Sequence, residues 1–453
     1  MTTLIFRDSG AESYTIIQNQ IQSIVNVPVK KRDIKILKPR NKIVTLIGPR
    51  RAGKTYLLIS IAKRVFKRLG QKQVFYLNLE DERVLVSPQE YVKAIDRFLT
   101  NADFTRPVYI LLDEVQNLSN WQHVVARIHA KYPKIHLYLT GSNSTTLSSD
   151  IATILRGRTI SQYVPTLSFR EFIRFKRMQT KIKRSSKPEV LLSELFYEYL
   201  QYGGFPEVVL EKQPLIKLEI LKEYLDVLLF RDIVERYAPR AISIRVLRFL
   251  LERLAENIGS PTSINKIYKQ LKSLGYTVDK NDLYEYVEVL RQVLFLHEVK
   301  KYDPASIKRE NTLKKYYFTD LGYVHILKFT AAKDYGKLME NLVFLELQRR
   351  TTTSVLDQGK SIFYVRNGFE CDFLVSNAST GDLAAIQVSY RLNIDNVERE
   401  IKGLQKALQK IPAKRGVLIY GSMDSYAQKY IAGADLPKEK IQPVNILDFL
   451  VGG

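Results

Sequence analysis

Cysteine is nearly absent from the sequence, and so are long apolar runs. The chain of 453 residues has one cysteine, Cys371, which cannot form a disulfide within the chain. This argues against a disulfide-stapled secreted scaffold. No apolar run approaches the about 18 residues of a membrane-spanning helix, and no basic segment followed by an apolar leader stands at the N-terminus. We therefore expect a cytoplasmic protein without a membrane partner.

Acidic residues are scarce beside basic ones. The 47 aspartate and glutamate residues face 70 lysine and arginine residues, for a net charge of +23. A positive charge of this size favours a nucleic acid partner, DNA above all; a solvated, lysine-rich surface is the alternative. The densest basic run, residues 170–187, has Glu171 as its only acid. This composition predicts a mobile surface loop that suits phosphate contacts.

The chain is too long for one ordinary core, and its apolar pattern divides it into parts. Short apolar segments alternate with amphipathic ones between residues 43 and 164. This alternation predicts five strands and a doubly wound parallel α/β domain. The next part, residues 190–234, has helical periodicity that is interrupted at Gly203–Pro206.

Three helical segments and an alternating segment follow, which is the outline of a winged helix-turn-helix. The helices are predicted at 244–258, 264–274 and 279–292, and the hairpin at 294–318. The third helix carries more acids than bases and is a poor surface for a DNA groove. The hairpin, with Lys300-Lys301 and Lys314-Lys315, is a better candidate for DNA contact. A packing or protein-contact module is the alternative.

The segment Gly48–Thr55 fits the phosphate-binding pattern G-x-x-x-x-G-K-[ST] in full. Its glycines allow a tight turn whose N–H groups point at phosphate oxygens, and the following helix adds the positive end of its dipole. Lys54 is expected to contact the β- and γ-phosphates, and Thr55 to hold Mg²⁺. The motif therefore predicts ATP and Mg²⁺ as cofactors. The predicted nucleotide contacts are Gly48, Pro49, Arg50, Arg51, Ala52, Gly53, Lys54, Thr55 and Tyr56.

An acidic pair follows the apolar strand predicted at 108–112. Asp113 is expected to hold Mg²⁺ together with Thr55, through water. Glu114 is expected to polarise the attacking water, which favours hydrolysis of ATP over binding alone. Two solvated acids at an ordinary strand end are the alternative.

Residues after the next strand are weaker candidates. Ser142 or Asn143 would orient the water from the carboxyl end of a strand, where ligands of such sheets lie; a turn or helix cap is the alternative. Arg156 and Arg158 are candidates for an arginine presented to a neighbouring subunit's nucleotide, and each is equally well explained as a surface arginine. The candidate catalytic residues are Glu114, Asn143, Arg156 and Arg158.

Taken together, these motifs resemble a prokaryotic AAA+ ATPase family, and the resemblance covers essentially the whole chain. It rests on G-P-R-R-A-G-K-T from Gly48, L-L-D-E-V-Q-N-L-S-N-W from Leu111, T-G-S-N from Thr140, L-R-G-R from Leu155, G-G-F-P-E from Gly203, F-R-D-I from Phe230 and K-Y-Y-F-T-D-L-G from Lys315. It implies a P-loop AAA+ doubly wound sheet in residues 1–188, a helical lid in 189–240, a winged helix in 241–332 and a nuclease-like α/β domain in 333–453.

The last domain resembles the PD-(D/E)xK nuclease fold, but its third motif is altered. Such a nuclease uses a helix glutamate, here Glu340, and a strand aspartate, here Asp372, to hold Mg²⁺, followed by (D/E)-x-K on the next strand. This sequence has Gln387-Val388-Ser389 there. One metal ligand has become an amide and the motif's lysine is missing. The resemblance therefore implies binding without cleavage. A scaffold without DNA contact is the alternative, and Glu340 and Asp372 leave weak metal binding open.

We therefore expect an ATPase that switches or moves its C-terminal domains on DNA. An ATP-regulated nuclease and an ATP-dependent protein-remodelling factor without nucleic acid are the alternatives. The sequence leaves the oligomeric state open, and a homo-oligomer would allow an arginine of one subunit to reach the nucleotide of the next.

Overall fold

The computed structural model describes residues 20–81, 88–141, 155, 157–234, 243–303, 312–328, 334–351, 362–377, 380–433 and 441–452. The chain forms two compact units, one ending at Val164 and the other beginning at Pro165. This boundary precedes residue 188, the predicted end of the ATPase domain, because residues from Leu167 onward pack in the core of the second unit. No helix in these ranges is long and apolar enough to cross a membrane.

A five-stranded parallel sheet forms the first unit. Its elements are β1 (Ile43–Ile47), α1 (Lys54–Leu69), β2 (Val74–Asn78), α2 (Pro88–Asn101), β3 (Tyr109–Asp113), α3 (Trp121–Lys131), β4 (His136–Thr140) and β5 (Thr159–Tyr163). The strand order is β2-β3-β4-β1-β5, and every pairing is parallel. The arrangement fits the α/β fold of a P-loop ATPase, and it brings the carboxyl ends of β1, β3 and β4 to one edge of the sheet.

Both faces of this sheet are covered by helices. On β3, Ile110 and Leu112 pack in one apolar cluster with residues of α2 and α3, while Tyr109 and Leu111 pack in the other with residues of α1. A continuous apolar run suits a strand that is buried on both faces. The apolar pattern therefore predicts all five strands to within one residue at each end.

Helices dominate the first part of the second unit. They are α4 (Phe169–Phe175), α5 (Gln179–Arg184), α6 (Pro188–Tyr202), α7 (Pro206–Leu210), α8 (Pro214–Val227), a π-helix at Leu228–Val234, α9 (Ile244–Glu256), α10 (Ile264–Ser273), α11 (Lys280–Gln292) and α12 (Leu321–Leu327). The break predicted at Gly203–Pro206 separates α6 from α7. Asp279 caps α11, as its position in the sequence suggests.

The prediction of a mobile loop at residues 170–187 is wrong. Ser168 and Glu171 form a capping box that starts α4. Phe169 and Phe172 are buried in the core of the second unit. The apolar residues interleaved with the basic ones give α4 a buried face, and this face outweighs the local excess of charge.

A seven-stranded mixed sheet lies in the second part of this unit. Its elements are β6 (Leu296–Lys301), β7 (Lys315–Phe318), α13 (Tyr335–Thr351), β8 (Ile362–Arg366), β9 (Glu370–Ser376), β10 (Leu383–Leu392), α14 (Val397–Lys410), β11 (Ala413–Met423), α15 (Ser425–Gly433), β12 (Ile441–Asn445) and α16 (Ile446–Val451). The strand order is β12-β11-β10-β9-β8-β6-β7.

The hairpin predicted at 294–318 is part of this sheet. Strands β6 and β7 pair antiparallel, with Leu296 opposite Phe318. Strand β6 also pairs in parallel with β8 at Lys300 and Lys301. The parts of the chain predicted as separate domains, 241–332 and 333–453, therefore share one sheet.

Candidate functional site

The P-loop, Gly48–Thr55, connects β1 to α1. Gly53 has φ of +92°, a left-handed conformation that favours glycine, directly before α1 begins. A Cβ atom at Gly48 would lie 2.1 Å from the carbonyl oxygen of Val164. Both glycines of the motif are therefore required by the local backbone of this chain.

The Lys54 side chain lies inside this loop. Its Nζ donates to the carbonyl oxygens of Gly48 and Pro49, each at 3.0 Å, and the residue is buried. Arg32 donates from Nη1 to the carbonyl oxygen of Ala52 at 2.9 Å, so the basic segment before β1 supports the loop. The ammonium is held beside the start of α1, where the helix dipole is positive.

Asp113 ends β3 at the carboxyl edge of the sheet and is fully buried. Thr140 donates to its Oδ1 and Tyr76 to its Oδ2, the latter at 3.1 Å, and the nearby Thr55 hydroxyl of the P-loop lowers the pKa of the same carboxylate. Burial raises the pKa of Asp113 to about 6, and the hydrogen bonds oppose this rise. Because Mg²⁺ prefers oxygen ligands, the pair of Thr55 and Asp113 fits the predicted ion.

Glu114 follows directly in a left-handed conformation, with φ of +54° and ψ of +51°. Such a backbone costs about 1 kcal/mol or more in a residue other than glycine. Its N–H donates to Thr140 Oγ1 at 3.0 Å, and its Oε2 accepts from Gln116 Nε2 at 2.6 Å. These contacts fix the direction in which the carboxylate leaves the end of β3.

Sequence reasoning gives no role to two residues that contact Asp113. Thr140 had a usable signal, because it ends the strand next to β3 and directly precedes Gly141. Tyr76 had none, because it is one of 27 tyrosines and lies within an ordinary apolar strand. Both hydroxyls hold the buried carboxylate from the neighbouring strands.

Of the other predicted catalytic residues, the structure describes only Arg158. Ser142, Asn143 and Arg156 lie outside the described residues. Arg158 precedes β5, whose first residue, Thr159, pairs with the first residue of β1. Arg158 therefore lies at the opposite edge of the sheet from the P-loop of its own chain, about 16 Å away along β1, and its predicted role toward a neighbouring subunit's nucleotide stays a prediction.

A second charged group forms in the second unit around the two acids of the nuclease-like motif. Lys315, on β7, has its Nζ 3.0 Å from Glu340 Oε1 and 3.4 Å from Asp372 Oδ1. Tyr317 donates to Glu340 Oε1 at 2.7 Å. The two acids thus lie on either side of an ammonium that comes from a different strand than the one that carries Ser389.

The side chains of the altered third motif have other partners. Gln387 donates from Nε2 to Glu400 Oε2 at 2.7 Å, and Ser389 donates to the carbonyl oxygen of Arg391 at 3.2 Å. Among the residues that the structure describes, no group of three histidine, cysteine, aspartate or glutamate side chains is arranged to hold a metal ion.

Comparison with known proteins places the chain in a family. Residues 40–173 match the model of an AAA domain, and residues 193–334 and 335–437 match two domains of unknown function. The chain is 35% identical over 400 residues to the uncharacterized protein MJ1544 of Methanocaldococcus jannaschii, which covers 87% of this chain and 85% of that protein. The chain belongs to the same family as this archaeal protein. Its AAA domain contains the P-loop and the acidic pair, so the family is one of AAA-type P-loop ATPases.

Two further proteins are similar at lower identity. An uncharacterized protein of Haemophilus influenzae is 27% identical over 353 residues, covering 77% of this chain and 83% of that protein. Among solved structures, the Walker-type ATPase PABY2304 of Pyrococcus abyssi matches 67% of this chain and 99% of its own, with 17% identity and a TM-score of 0.43. The family assignment rests on the archaeal relative and the AAA domain.

Proposed function

We propose that the chain binds ATP with Mg²⁺ and hydrolyses it at the P-loop of its AAA domain. The observation that carries this proposal is that Asp113, buried at the carboxyl end of β3, lies close enough to the Thr55 hydroxyl for that hydroxyl to lower its pKa. Thr55 lies in the first turn of α1, and Asp113 ends the buried strand β3, so residues far apart in the sequence meet beside the phosphate-binding loop. A loop that served only as a turn would have no need of a buried carboxylate at this place.

The phosphates are bound by the loop in this proposal. Its N–H groups and the Lys54 ammonium bind the β- and γ-phosphate oxygens. Thr55 and Asp113 would hold Mg²⁺, which when bound would supply positive charge near those oxygens. Because Asp113 is buried, water screens its interaction with a cation only weakly.

Glu114 acts as the general base. It is half-buried, follows the metal-binding residue directly, and has one carboxylate oxygen held by Gln116. A carboxylate fixed in this way accepts a proton from the water that attacks the γ-phosphate. The fixed Glu114 therefore favours hydrolysis over binding alone.

Two substitutions separate binding from hydrolysis. Lys54→Ala removes the cation inside the loop, so ATP binding measured by calorimetry should be lost. Glu114→Gln keeps the size of the side chain, so ATP should bind with unchanged affinity. The turnover rate should fall by at least about 10²-fold. Lys67→Ala, at an exposed position on the same helix, is the control and should behave as the wild type.

Retained ATP affinity in Lys54→Ala would show that the loop is not the nucleotide site. Wild-type turnover in Glu114→Gln would show that another group orients the water, and it would leave the binding part of the proposal intact.

A basic surface on α4 and α5 supports a second part of the proposal, that ATP turnover is coupled to DNA. The exposed basic residues of this surface are Arg177, Lys181, Lys183, Arg184 and Lys187. Lys181, Lys183 and Arg184 lie on α5, and the partly buried Met178 and Ile182 pack this segment against the core of the second unit. Clustered cations of this kind bind phosphate backbones.

The hairpin is a poorer DNA surface than its sequence suggests. Lys315 is buried in an ion pair with two acids, and Lys314 lies 3.4 Å from Glu298. ATP turnover measured at low salt with and without double-stranded DNA tests the coupling, and DNA should change the rate. An unchanged rate together with no DNA binding would leave a protein-remodelling role as the better proposal.

A further inference from the structure

Lys315 lies between two acids that come from different elements. It is on β7, whereas Glu340 is on α13 and Asp372 is on β9. Its Nζ is 3.0 Å from Glu340 Oε1 and 3.4 Å from Asp372 Oδ1. A cation held by Glu340 Oε1 and Asp372 Oδ1 together would lie between these two oxygens, where the ammonium already lies.

This place is nearly closed to solvent. The side chain of Lys315 is 2% exposed, that of Glu340 15% and that of Asp372 10%. The ring of Tyr364 lies 5.5 Å from Lys315 Nζ, and Tyr317 donates its hydroxyl to Glu340. A hydrated divalent ion and a phosphodiester would need the room that these side chains fill.

Neighbouring oxygen atoms that a metal ion would need have partners within the chain. Asp372 Oδ2 accepts from the N–H of Val388 at 2.9 Å, and Gln387 Oε1 accepts from the N–H of Asp372 at 3.3 Å. Glu400, which receives the Gln387 amide, is also paired with Arg399 at 2.6 Å. Hydrogen bonds and an ion pair within the protein therefore already involve these oxygen atoms.

We propose that Lys315 is the built-in cation of this site, that it takes the position of a divalent metal between Glu340 and Asp372, and that it closes the site to metal. Two buried carboxylates close together are unfavourable unless a cation compensates them. The ammonium supplies that compensation and joins β7 to α13 and β9. Removing it uncovers a cation site that the intact chain does not offer.

Terbium binding tests this proposal, because Tb³⁺ luminescence is excited through a nearby tyrosine and Tyr317 contacts Glu340. The full-length chain is titrated without nucleotide in an Asp113→Asn background, so that the P-loop acid does not contribute. Lys315→Met should gain one saturable Tb³⁺ site per chain, and adding Asp372→Asn should remove it. With Lys315 present, Asp372→Asn should leave Tb³⁺ binding unchanged.

Circular dichroism verifies that each variant is folded. A folded Lys315→Met chain that gains no site would overturn the proposal, and so would loss of a Tb³⁺ site on Asp372→Asn in the presence of Lys315. Mn²⁺-dependent DNA cleavage that requires Asp372 would overturn it as well. If Lys315→Met does not fold, Asp372→Asn is compared with its parent, both with Lys315 in place. Unchanged Tb³⁺ binding in this comparison supports the proposal, and loss of a Tb³⁺ site overturns it.

Discussion

At the end of β3, burial and hydrogen bonding shift the pKa of Asp113 in opposite directions. Burial raises its pKa to about 6, whereas the hydroxyl groups of Thr140, Thr55 and Tyr76 lower it. An ionised carboxyl so far from water is unfavourable for the free protein and suits a site that receives a cation. The residue is therefore placed for binding at the expense of stability.

This conflict predicts a pH dependence. Because the folded-state pKa lies above the ordinary value of 3.8, the folded chain keeps a proton on Asp113 that the unfolded chain releases between about pH 4 and pH 6. The contribution of this proton to the free energy of unfolding is complete below about pH 4, and it is lost as the pH rises through 6. A shift of about two units corresponds to about 3 kcal/mol at most. Nucleotide-free Asp113→Asn should therefore melt at a higher temperature than the wild type at pH 7.5.

Thermal unfolding in EDTA at pH 4 and pH 7.5 measures this difference. Near pH 4, where the wild-type carboxyl is protonated, the two proteins should melt at similar temperatures. A variant that is less stable than the wild type at pH 7.5 would show that the three hydroxyl contacts outweigh the burial of charge.

Gln116 is a positioning residue for Glu114. Its amide donates to Glu114 Oε2 at 2.6 Å. Gln116→Ala should lower kcat for ATP by about tenfold, less than Glu114→Gln does, and leave KM near the wild-type value, because it loosens the base without removing it. Asn117→Ala, at the next exposed position, is the control. Equal kinetics for the two variants would exclude the positioning role.

Among the elements, the turn between α6 and α7 is joined to the start of α12 by Asp320. This buried residue accepts from the N–H of Gly204 through Oδ2 and from the N–H of Gly322 through Oδ1, each at 2.9 Å. Gly203 has φ of +72°, and a Cβ added there would lie 1.7 Å from Asp320 Oδ1. The Asp320 carboxylate therefore leaves no room for a side chain at Gly203, whereas at Gly204 a Cβ would lie 2.4 Å from the carbonyl oxygen of Leu167.

Alanine at Gly203 should destabilise the second unit strongly. The substitution adds left-handed strain and a clash that displaces Asp320 from both N–H groups, so we expect a loss of about 3 kcal/mol or more. Gly275→Ala is a matched control, because φ there is +82° and a Cβ would meet no atom within 4 Å. Strain alone should cost it about 1 kcal/mol. Equal losses in urea unfolding followed by circular dichroism would contradict the clash.

Element boundaries follow from the sequence where burial is local. The five strands of the first sheet and helix α1 are predicted to within one residue. A short apolar run marks each strand, and apolar residues that recur with the period of a helix mark α1. The parallel pairing of β6 with β8 could not be predicted, since it joins only Lys300 and Lys301 to residues more than fifty positions away. Likewise, the run at 170–187 folds as helices because Phe169 and Phe172 meet a core that forms from distant residues.

The residues of the two sites likewise divide into those that could be predicted from the sequence and those that could not. Gly48–Thr55, Asp113 and Glu114 were predictable because spacing along the chain fixes which strand ends meet at one edge of a parallel sheet. Lys315 was not, because no local pattern directs a hairpin lysine toward acids on a helix and another strand. The role of Asn143, Arg156 and Arg158 stays a prediction, and Arg158 lies at the far edge of the sheet.

Across the whole molecule, which has a net charge of +23, some basic side chains are paired within the fold and others are exposed. Some basic side chains are taken up within the fold, as when Lys315 pairs with buried acids and both Lys176 and Lys217 pair with Glu198. The residues Arg177, Lys181, Lys183, Arg184 and Lys187 instead present their charges to solvent. Binding to a polyanion should therefore depend on where the charge lies, and not only on its sum.

Charge reversal distinguishes these two possibilities. Changing Lys181, Lys183 and Arg184 to glutamate should weaken DNA binding by at least tenfold at low salt and reduce the dependence of log K on log salt by about 2 to 3, because each lost phosphate contact releases about 0.9 fewer counterions. Changing the exposed Lys406, Arg415 and Lys429 to glutamate alters the net charge equally and is the control. Equal weakening in both variants would mean that net charge alone drives association, and α4 and α5 would then be no more than a solvated surface. If only the first variant loses affinity while ATP turnover without DNA is unchanged, the basic surface is the DNA contact.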